Sequence, residues 1–471
     1  MNNRDPENGV RKITLLLAST FAVMVTAAMA PALPAIQAHF AEQTNATFLV
    51  RLVLTLPSLL IAAASPVAGY IVDRIGRKTV LAVSSLAFGI AGVAGYFAPT
   101  LTSLLISRAV LGIAVGASMT TVTTLIADYY VGPARGRFMG LQAAFMGFGG
   151  TVFFALSGVL ADVGWRAPFL THAIAFAVLP LILVALYEPS VGDRCEEKPH
   201  PVVGPGECVA ESVRASRGVR HVNRAAASPP IGFFLFVYLV MMGSQIVFFL
   251  IPVQLPFYLL NLTGASASQS GLAISMMTVF YALTSLQYGR VASRFDHFQV
   301  FTAAFSLIGV GYLLIWLAGG WALLLLGLVL AGTGLGLLMP NLSVWLADET
   351  PAALRGRVMG ALTTALFLGR FLSPIASQPL VVWVGLGRLF AGAGVAMLVM
   401  APFFWVARDR LRSLTRLWSG GEIPEAVTVS VDPTGQDHGL EFVATTGAEP
   451  GSSPCVGFTP GPGGEESVCA L

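Results

Sequence analysis

Charge is scarce in this chain. Asp, Glu, Lys and Arg make up 11% of its 471 residues, where a soluble domain carries roughly 25%. No carboxylate stands deep inside a long apolar run; Asp73, Asp128, Asp162, Asp348 and Glu349 all lie near run ends. Cysteine is equally rare. Cys195, Cys208, Cys455 and Cys469 fall outside the apolar runs with no metal-ligand spacing, so neither a metal centre nor a disulfide framework is expected. Only two residues follow Cys469, one short of a prenylation box. There is no phosphate-binding loop, which argues against ATP drive within the chain. No nucleophile–base constellation appears either, so an enzyme is the least expected reading, and neither a cofactor nor nucleic-acid binding is expected.

What is abundant is apolar sequence: 55% of residues, with mean hydropathy +0.76. A membrane helix needs roughly 20 apolar residues. Twelve such runs can be read, near 13–36, 47–72, 79–98, 102–127, 137–161, 167–187, 231–260, 269–293, 299–318, 321–347, 357–384 and 387–407. None alternates as a barrel strand would. The start imitates a signal peptide, with Arg11-Lys12, an apolar run and Ala28-Met29-Ala30. Pro31 directly after that triplet disfavours cleavage, and the run continues to Ile36. Most of the 27 basic residues fall in the segments that are inner if the N-terminus is cytoplasmic. Arg51, Arg166 and Arg388 are assigned to outer loops, and Arg108 and Arg370 lie within runs. The bias predicts both termini in the cytoplasm.

The two halves repeat. Gly69, Arg74, Gly112, Gly116, Asp128, Arg135, Gly136, Arg137, Met139 and Gly140 each have an identical residue 220 positions later. A constant offset across four hydrophobic segments indicates a duplicated membrane bundle, as in many secondary transporters. We therefore expect an all-α integral membrane protein with twelve transmembrane helices in two pseudo-symmetric six-helix bundles, 1–187 and 231–407. A cytoplasmic linker, 188–230, joins them. Within it Arg214, Arg217, Arg220 and Arg224 share one helical face, suited either to anionic headgroups or to solvent. After Ala407 the chain turns polar; Arg408 to Arg412 extend the last helix along the interface, and a largely disordered cytoplasmic tail follows.

Gly69-Tyr70-Ile71-Val72-Asp73-Arg74-Ile75-Gly76-Arg77-Lys78 resembles the signature loop between the second and third helices of the major facilitator superfamily. With twelve runs and the half-chain repeat, the resemblance covers about residues 10–407. It implies a conformational latch. Gly69 lets two helices approach closely, and Asp73 would face the start of the eleventh helix near Gly356, where the helix dipole favours negative charge. Arg77 would pair with Asp128, and these contacts would form when the inner side closes and break when it opens. Arg74, Arg77 and Lys78 act in the latch or only enforce topology. The second copy departs from the pattern, with Ser293 in place of Asp73 and Asp296-His297 in place of Gly76-Arg77. The junctions Asp128…Arg135-Gly136-Arg137 and Asp348…Arg355-Gly356-Arg357 are preserved, and read as paired inner salt-bridge hubs.

Arg108 with Gly112 resembles a motif associated with proton-coupled members of that family. Gly112 and Gly116 share a face with Arg108, which suits close packing, and Arg108 can instead snorkel outward. Arg370 is near the middle of the eleventh run, where a charge costs several kcal/mol unless paired or hydrated. That makes it a candidate for an anionic substrate group, with bonding to carbonyls freed by Pro374 as the structural alternative. Exporters of cationic drugs commonly use a buried carboxylate, which this chain lacks. His172 is the intramembrane histidine, either titratable or simply packed. Gln245, Gln254, Gln287 and Asn341 are polar groups needing partners, and Phe367 and Phe371 flank Arg370. Pro31, Pro34, Pro252 and Pro256 suggest bending near the outer ends of the first and seventh runs. Asn45-Ala46-Thr47 and Asn261-Leu262-Thr263 are glycosylation patterns that matter only in a eukaryotic secretory pathway.

Taken together, the resemblance, which is strongest to bacterial efflux permeases, implies a secondary active transporter in the bacterial inner membrane. It would be monomeric, proton-coupled, and would export a small amphipathic or anionic molecule by alternating access. The alternatives are an importer of an organic acid or similar nutrient, and a non-transporting membrane sensor.

Overall fold

A computed structural model of the chain describes residues 9–130, 132–188, 231–350 and 352–419. The linker arginines and the tail beyond Ser419 lie outside the described residues. Twelve helical segments follow in order among those residues. They are α1 (Gly9–His39), α2 (Ala46–Ile75), α3 (Arg77–Phe97), α4 (Leu101–Tyr129), α5 (Gly132–Val163) and α6 (Ala167–Ala185), then α7 (Ile231–Thr263), α8 (Ala267–Ala292), α9 (His297–Leu317), α10 (Trp321–Asp348), α11 (Ala352–Val384) and α12 (Leu386–Ser419). We use "inner" for the end carrying Arg74 and Arg77, which the charge bias assigns to the cytoplasm.

Eleven of the twelve are long and apolar enough to cross a membrane. The exception, α8, carries Ser268, Gln269, Ser270, Ser275, Thr278, Ser285 and Gln287. Its polarity is tolerable because Ser270 and Ser275 are buried against other helices, while Leu272, Leu283 and Leu286 lie on its outward face. Gly271 abuts the Phe154 carbonyl of α5, and α10 glycines press on its other side. Elsewhere large apolar side chains such as Val152, Val163, Trp383 and Val406 are turned outward, the solvation expected of a lipid-facing surface.

The internal repeat extends to the packing. In α4, Gly112 lies against Pro57 of α2 and Gly116 against Ile61. In α10, Gly332 and Gly336 lie against Met277 and Tyr281 of α8. Those four partners are themselves related by the offset of 220. A β-carbon at Gly112 would stand 2.7 Å from the Pro57 carbonyl oxygen, and one at Gly336 2.6 Å from that of Tyr281. The repeated glycines therefore set helix separation in each half.

The prolines act unequally. Around Pro31 and Pro34, α1 is broken into short pieces joined by a 3-10 turn at Ala30–Ala32. Pro252 and Pro256 sit inside an uninterrupted α7. Gly76 turns α2 into α3 at φ 106°, a conformation that costs glycine little and other residues more.

Candidate functional site

Between the two halves lies a cavity of about 410 Å3, lined by residues of α1, α4, α5, α7, α8, α10 and α11. Its wall is mostly phenylalanine, methionine and small aliphatic side chains, with hydroxyls from Thr26, Thr278, Tyr281, Ser343 and Thr363. Arg370 of α11 supplies the one charge among the described lining residues. The close approach of Gly369 to the Met242 carbonyl brings α11 against α7 at this level. There Arg370 Nε donates to Gln245 Oε1 at 2.9 Å. The Gln245 amide is fixed in turn by Nε2 on Met339 Sδ, 3.0 Å away. The guanidinium carbon lies 5.0, 5.2 and 5.9 Å from the ring centres of Phe249, Phe367 and Phe248. Aromatic faces attract a cation at these distances without neutralising it. Among the described residues no carboxylate lies within ion-pair distance of Arg370. The site can therefore offer a guanidinium fork to a bound anion and an apolar wall to its body.

Other residues expected at the cavity are placed elsewhere. Arg108 is fully buried inside the first half, where Nη2 donates to the carbonyls of Ala91 and Gly92 (3.3 and 3.1 Å) and the guanidinium stacks on Phe169 at 5.0 Å. It does not snorkel outward. His172 is also fully buried, its Nδ1 3.0 Å from the Phe169 carbonyl and its ring against Gly92 and Phe88. Neither lines the cavity: Arg108 points from α4 toward α3, and His172 packs against the same helix. Asn341 bridges the inner ends of α8 and α9. Gln254 belongs to the outer seal. Phe371 and Gln287 do not line the cavity. Helical spacing shows which residues share a face, but not what that face meets.

At the inner end, Arg77 Nε lies 3.2 Å from Asp128 Oδ2, and Arg77 Nη2 3.5 Å from Asp73 Oδ1. The pair with Asp128 exists here although the inner ends are parted. A β-carbon at Gly136, Gly140, Gly289, Gly356 or Gly360 would meet nothing within 4 Å. Asp73, 72% exposed, pairs within its own turn rather than with the start of α11. Arg77 and Asp128 both belong to the first half, and the pair expected from the sequence is present in this arrangement. Arg74 stacks on Tyr70 at 4.4 Å. Arg135, Arg137, Arg355 and Arg357 are exposed, and Arg355 reaches the Thr350 carbonyl at 3.4 Å.

The second half rebuilds the hub with other chemistry. His297, 220 positions after Arg77, places Nε2 3.7 Å from Asp348 Oδ2, the counterpart of Asp128. Its Nδ1 is 2.9 Å from Asn341 Oδ1, which also accepts from the Tyr288 hydroxyl at 3.0 Å. The sequence departure at this position therefore keeps a partner for the acid, an imidazole standing where the first half has a guanidinium.

Three contacts were missed by sequence reasoning. Glu188 accepts from the backbone N–H groups of Arg77 and Lys78 (2.6 and 2.9 Å), capping α3 from the start of the linker. At the outer end of α5, Asp162 accepts from Ala267 N and Ser268 N (2.9 and 3.1 Å), capping α8 of the opposite half. Arg51, assigned to a loop by charge counting, is a buried residue of α2 that bonds Gln254 of α7 at 3.1 Å. Signals existed in each case: an acid one helix end away from an exposed first turn, and an arginine already inside an apolar run.

The outer halves are thus in contact. Ser275 Oγ donates to the Thr151 carbonyl at 2.8 Å, and a β-carbon at Gly158 would stand 2.7 Å from the Ala267 carbonyl oxygen. With the inner ends parted, the arrangement is inward-facing. Gly271→Val, placed against Phe154, is expected to oppose outer closure by about 1–3 kcal/mol. The variant should insert normally yet lose most transport; unchanged transport in membranes with equal protein content would contradict this packing account.

The comparisons with known proteins agree with this architecture. The family model described as Major Facilitator Superfamily matches residues 15–257 and 237–429. A tetracycline resistance protein, class C, of Escherichia coli is 26% identical over 389 residues, spanning 81% of this chain and 91% of that protein. A 4-hydroxybenzoate transporter of Acinetobacter baylyi is 36% identical over 124 residues, 25% of this chain and 26% of that transporter. A crystal structure of a D-xylose–proton symporter superposes with a TM-score of 0.68 at 18% identity, covering 84% of this chain and 96% of the symporter. Twelve helical segments among the described residues, in two related halves around a central cavity, and a family match over most of their length lead to one conclusion: this chain is a multi-pass membrane protein of the Major Facilitator Superfamily.

Proposed function

We propose that the chain exports small amphipathic anions across the bacterial inner membrane by alternating access, drawing on the proton motive force. The observation that carries this reading is Arg370, a guanidinium facing a cavity walled by Phe248, Phe249 and Phe367, with no carboxylate among the described lining residues. A cation entering that cavity would meet like charge in a medium of low dielectric. An anion would supply the missing counter-charge through a bidentate contact. The potential, inside negative, favours outward movement of an anion by about 2.3 kcal/mol per charge per 100 mV. The proton is the natural coupling ion for the rest. The similarity to tetracycline resistance proteins supports export, and both termini would be cytoplasmic.

In this reading Asp73, Arg74, Gly76, Arg77 and Lys78, with Asp128, Arg135, Arg137, Asp348, Arg355 and Arg357, serve the inner gate, and Gly69 lets α2 approach its partner there. Gln245, Phe367 and Arg370 hold substrate. A second reading, import of an organic acid, is favoured by the stretch shared with the 4-hydroxybenzoate transporter. Flux separates the two. In an efflux-deficient bacterial host, export predicts lower accumulation of labelled benzenesulfonate, restored by an uncoupler, with phenyltrimethylammonium unaffected. Higher accumulation of the anion would establish import instead.

A further inference from the structure

Arg51 sits little more than one turn inside the outer end of α2 and is 3% exposed. Its partners are all neutral. Nε donates to Gln254 Oε1 at 3.1 Å, and Nη1 donates to Gln37 Oε1 at 3.1 Å and to the Thr47 carbonyl at 2.6 Å. The guanidinium carbon lies 4.2 Å from the centre of the Phe257 ring. Gln254, wholly buried, passes the chain on from Nε2 to Ser377 Oγ of α11 at 3.0 Å. One network therefore ties α1 and α2 to α7 and α11 across the outer seal. Pro252, two residues before Gln254, lines the cavity that holds Arg370. The seal is the next layer on the way out.

A guanidinium buried without a counter-ion is held at a cost in desolvation that neutral acceptors offset only in part. Here two side-chain amide oxygens and a carbonyl occupy positions that a carboxylate's or sulfonate's oxygens would suit better. When the outer side parts, Gln254 leaves with α7, and Arg51 is left facing the opening. We propose that Arg51 is a second anion site, on the exit side of the path. It is sealed by the Gln37 and Gln254 amides when the outer side is closed, and offered to the departing substrate's anionic group when that side parts. The proposal rests on the reading that the substrate carries an anion. It makes the seal metastable: the buried charge favours opening, and the amides restrain it.

That balance predicts opposite signs for two neighbouring substitutions. Gln254→Leu removes an acceptor and leaves the charge, so the outer-open fraction rises. Arg51→Met keeps the stem against Phe257 but removes the charge, so the outer-open fraction falls. A plain latch would open with either change. The fractions are read by electron–electron distance measurements on the full chain, with nitroxides at Glu42→Cys and Asn261→Cys after the four native cysteines are changed to serine. We expect shifts of roughly threefold or more in opposite directions. Benzenesulfonate is then added to the Arg370→Gln chain, which leaves Arg51 to answer alone. The outer-open fraction should rise, and should not rise when Arg51→Met is combined with it. Shifts of the same sign, or no response of the Arg370→Gln chain, would overturn the Arg51 site. Failure of the unaltered chain to export benzenesulfonate would instead remove the anion reading on which it rests.

Discussion

Arg370→Gln is expected to cut kcat/KM for benzenesulfonate about 10- to 100-fold while changing that for benzenesulfonamide less than about threefold. The size follows from a charge-assisted contact worth roughly 1.5–3 kcal/mol, at 1.4 kcal/mol per tenfold. Glutamine retains a donor for the Gln245 oxygen, so the α7–α11 contact beside Gly369 survives and the loss falls on the ligand. Arg370→Lys should recover only part of the effect, since an ammonium supplies charge without the planar fork. Equal losses for anion and amide would show that Arg370 only braces the helix pair.

The second large effect concerns the two ends of the path. Asp73→Asn is expected to lower transport about 5- to 30-fold with normal membrane insertion. The magnitude is that of removing a carboxylate from a helix N-terminus in a partly buried setting, about 1–2 kcal/mol. In the inward-facing arrangement Asp73 is exposed and bound only within its own turn, so the loss falls on the inner-closed state. Asp162 does the same work at the outer face, where it already caps α8 across the halves. Asp162→Asn therefore weakens the opposite state. Each single change slows the cycle by unbalancing it, and the double variant should recover part of the lost rate. Additive losses in the double variant would mean that the two acids do not act on one equilibrium.

Much of the fold was legible because membrane helices declare themselves by length, and because the repeat at fixed offset includes Gly112, Gly116, Gly332 and Gly336, which stand at close helix contacts. The offset extended even to Pro57 and Met277, residues unlike in type, since it is backbone proximity that Gly112 and Gly332 require. The central cavity was legible at Arg370, where mid-membrane charge demands a reason, and more weakly at Gln245 and Phe367, which also line it. It was not legible at Arg108, His172 or Asn341. Those residues are polar too, but each turns to partners inside its own half, carbonyls for Arg108 and His172 and the inner ends of α8 and α9 for Asn341, even though Arg108 Nη1 and His172 Nε2 stay buried without a hydrogen bond. Partners set by tertiary packing leave no trace in spacing. Arg51 was hidden for a different reason: counting charges by loop assigns a residue to the nearest outer segment, although one turn of helix suffices to bury it. His297 read as a defect in the repeated motif until Asp348 was found opposite its ring.

The most direct test of an outward-moving anion carried by Arg370 uses energised inside-out membrane vesicles, whose lumen is positive and acidic. Benzenesulfonate, a permanent anion, should accumulate in vesicles carrying this chain. The accumulation should collapse with an uncoupler and be lost with Arg370→Gln. Accumulation of phenyltrimethylammonium instead, or uptake of benzenesulfonate that is indifferent to Arg370, would contradict the account.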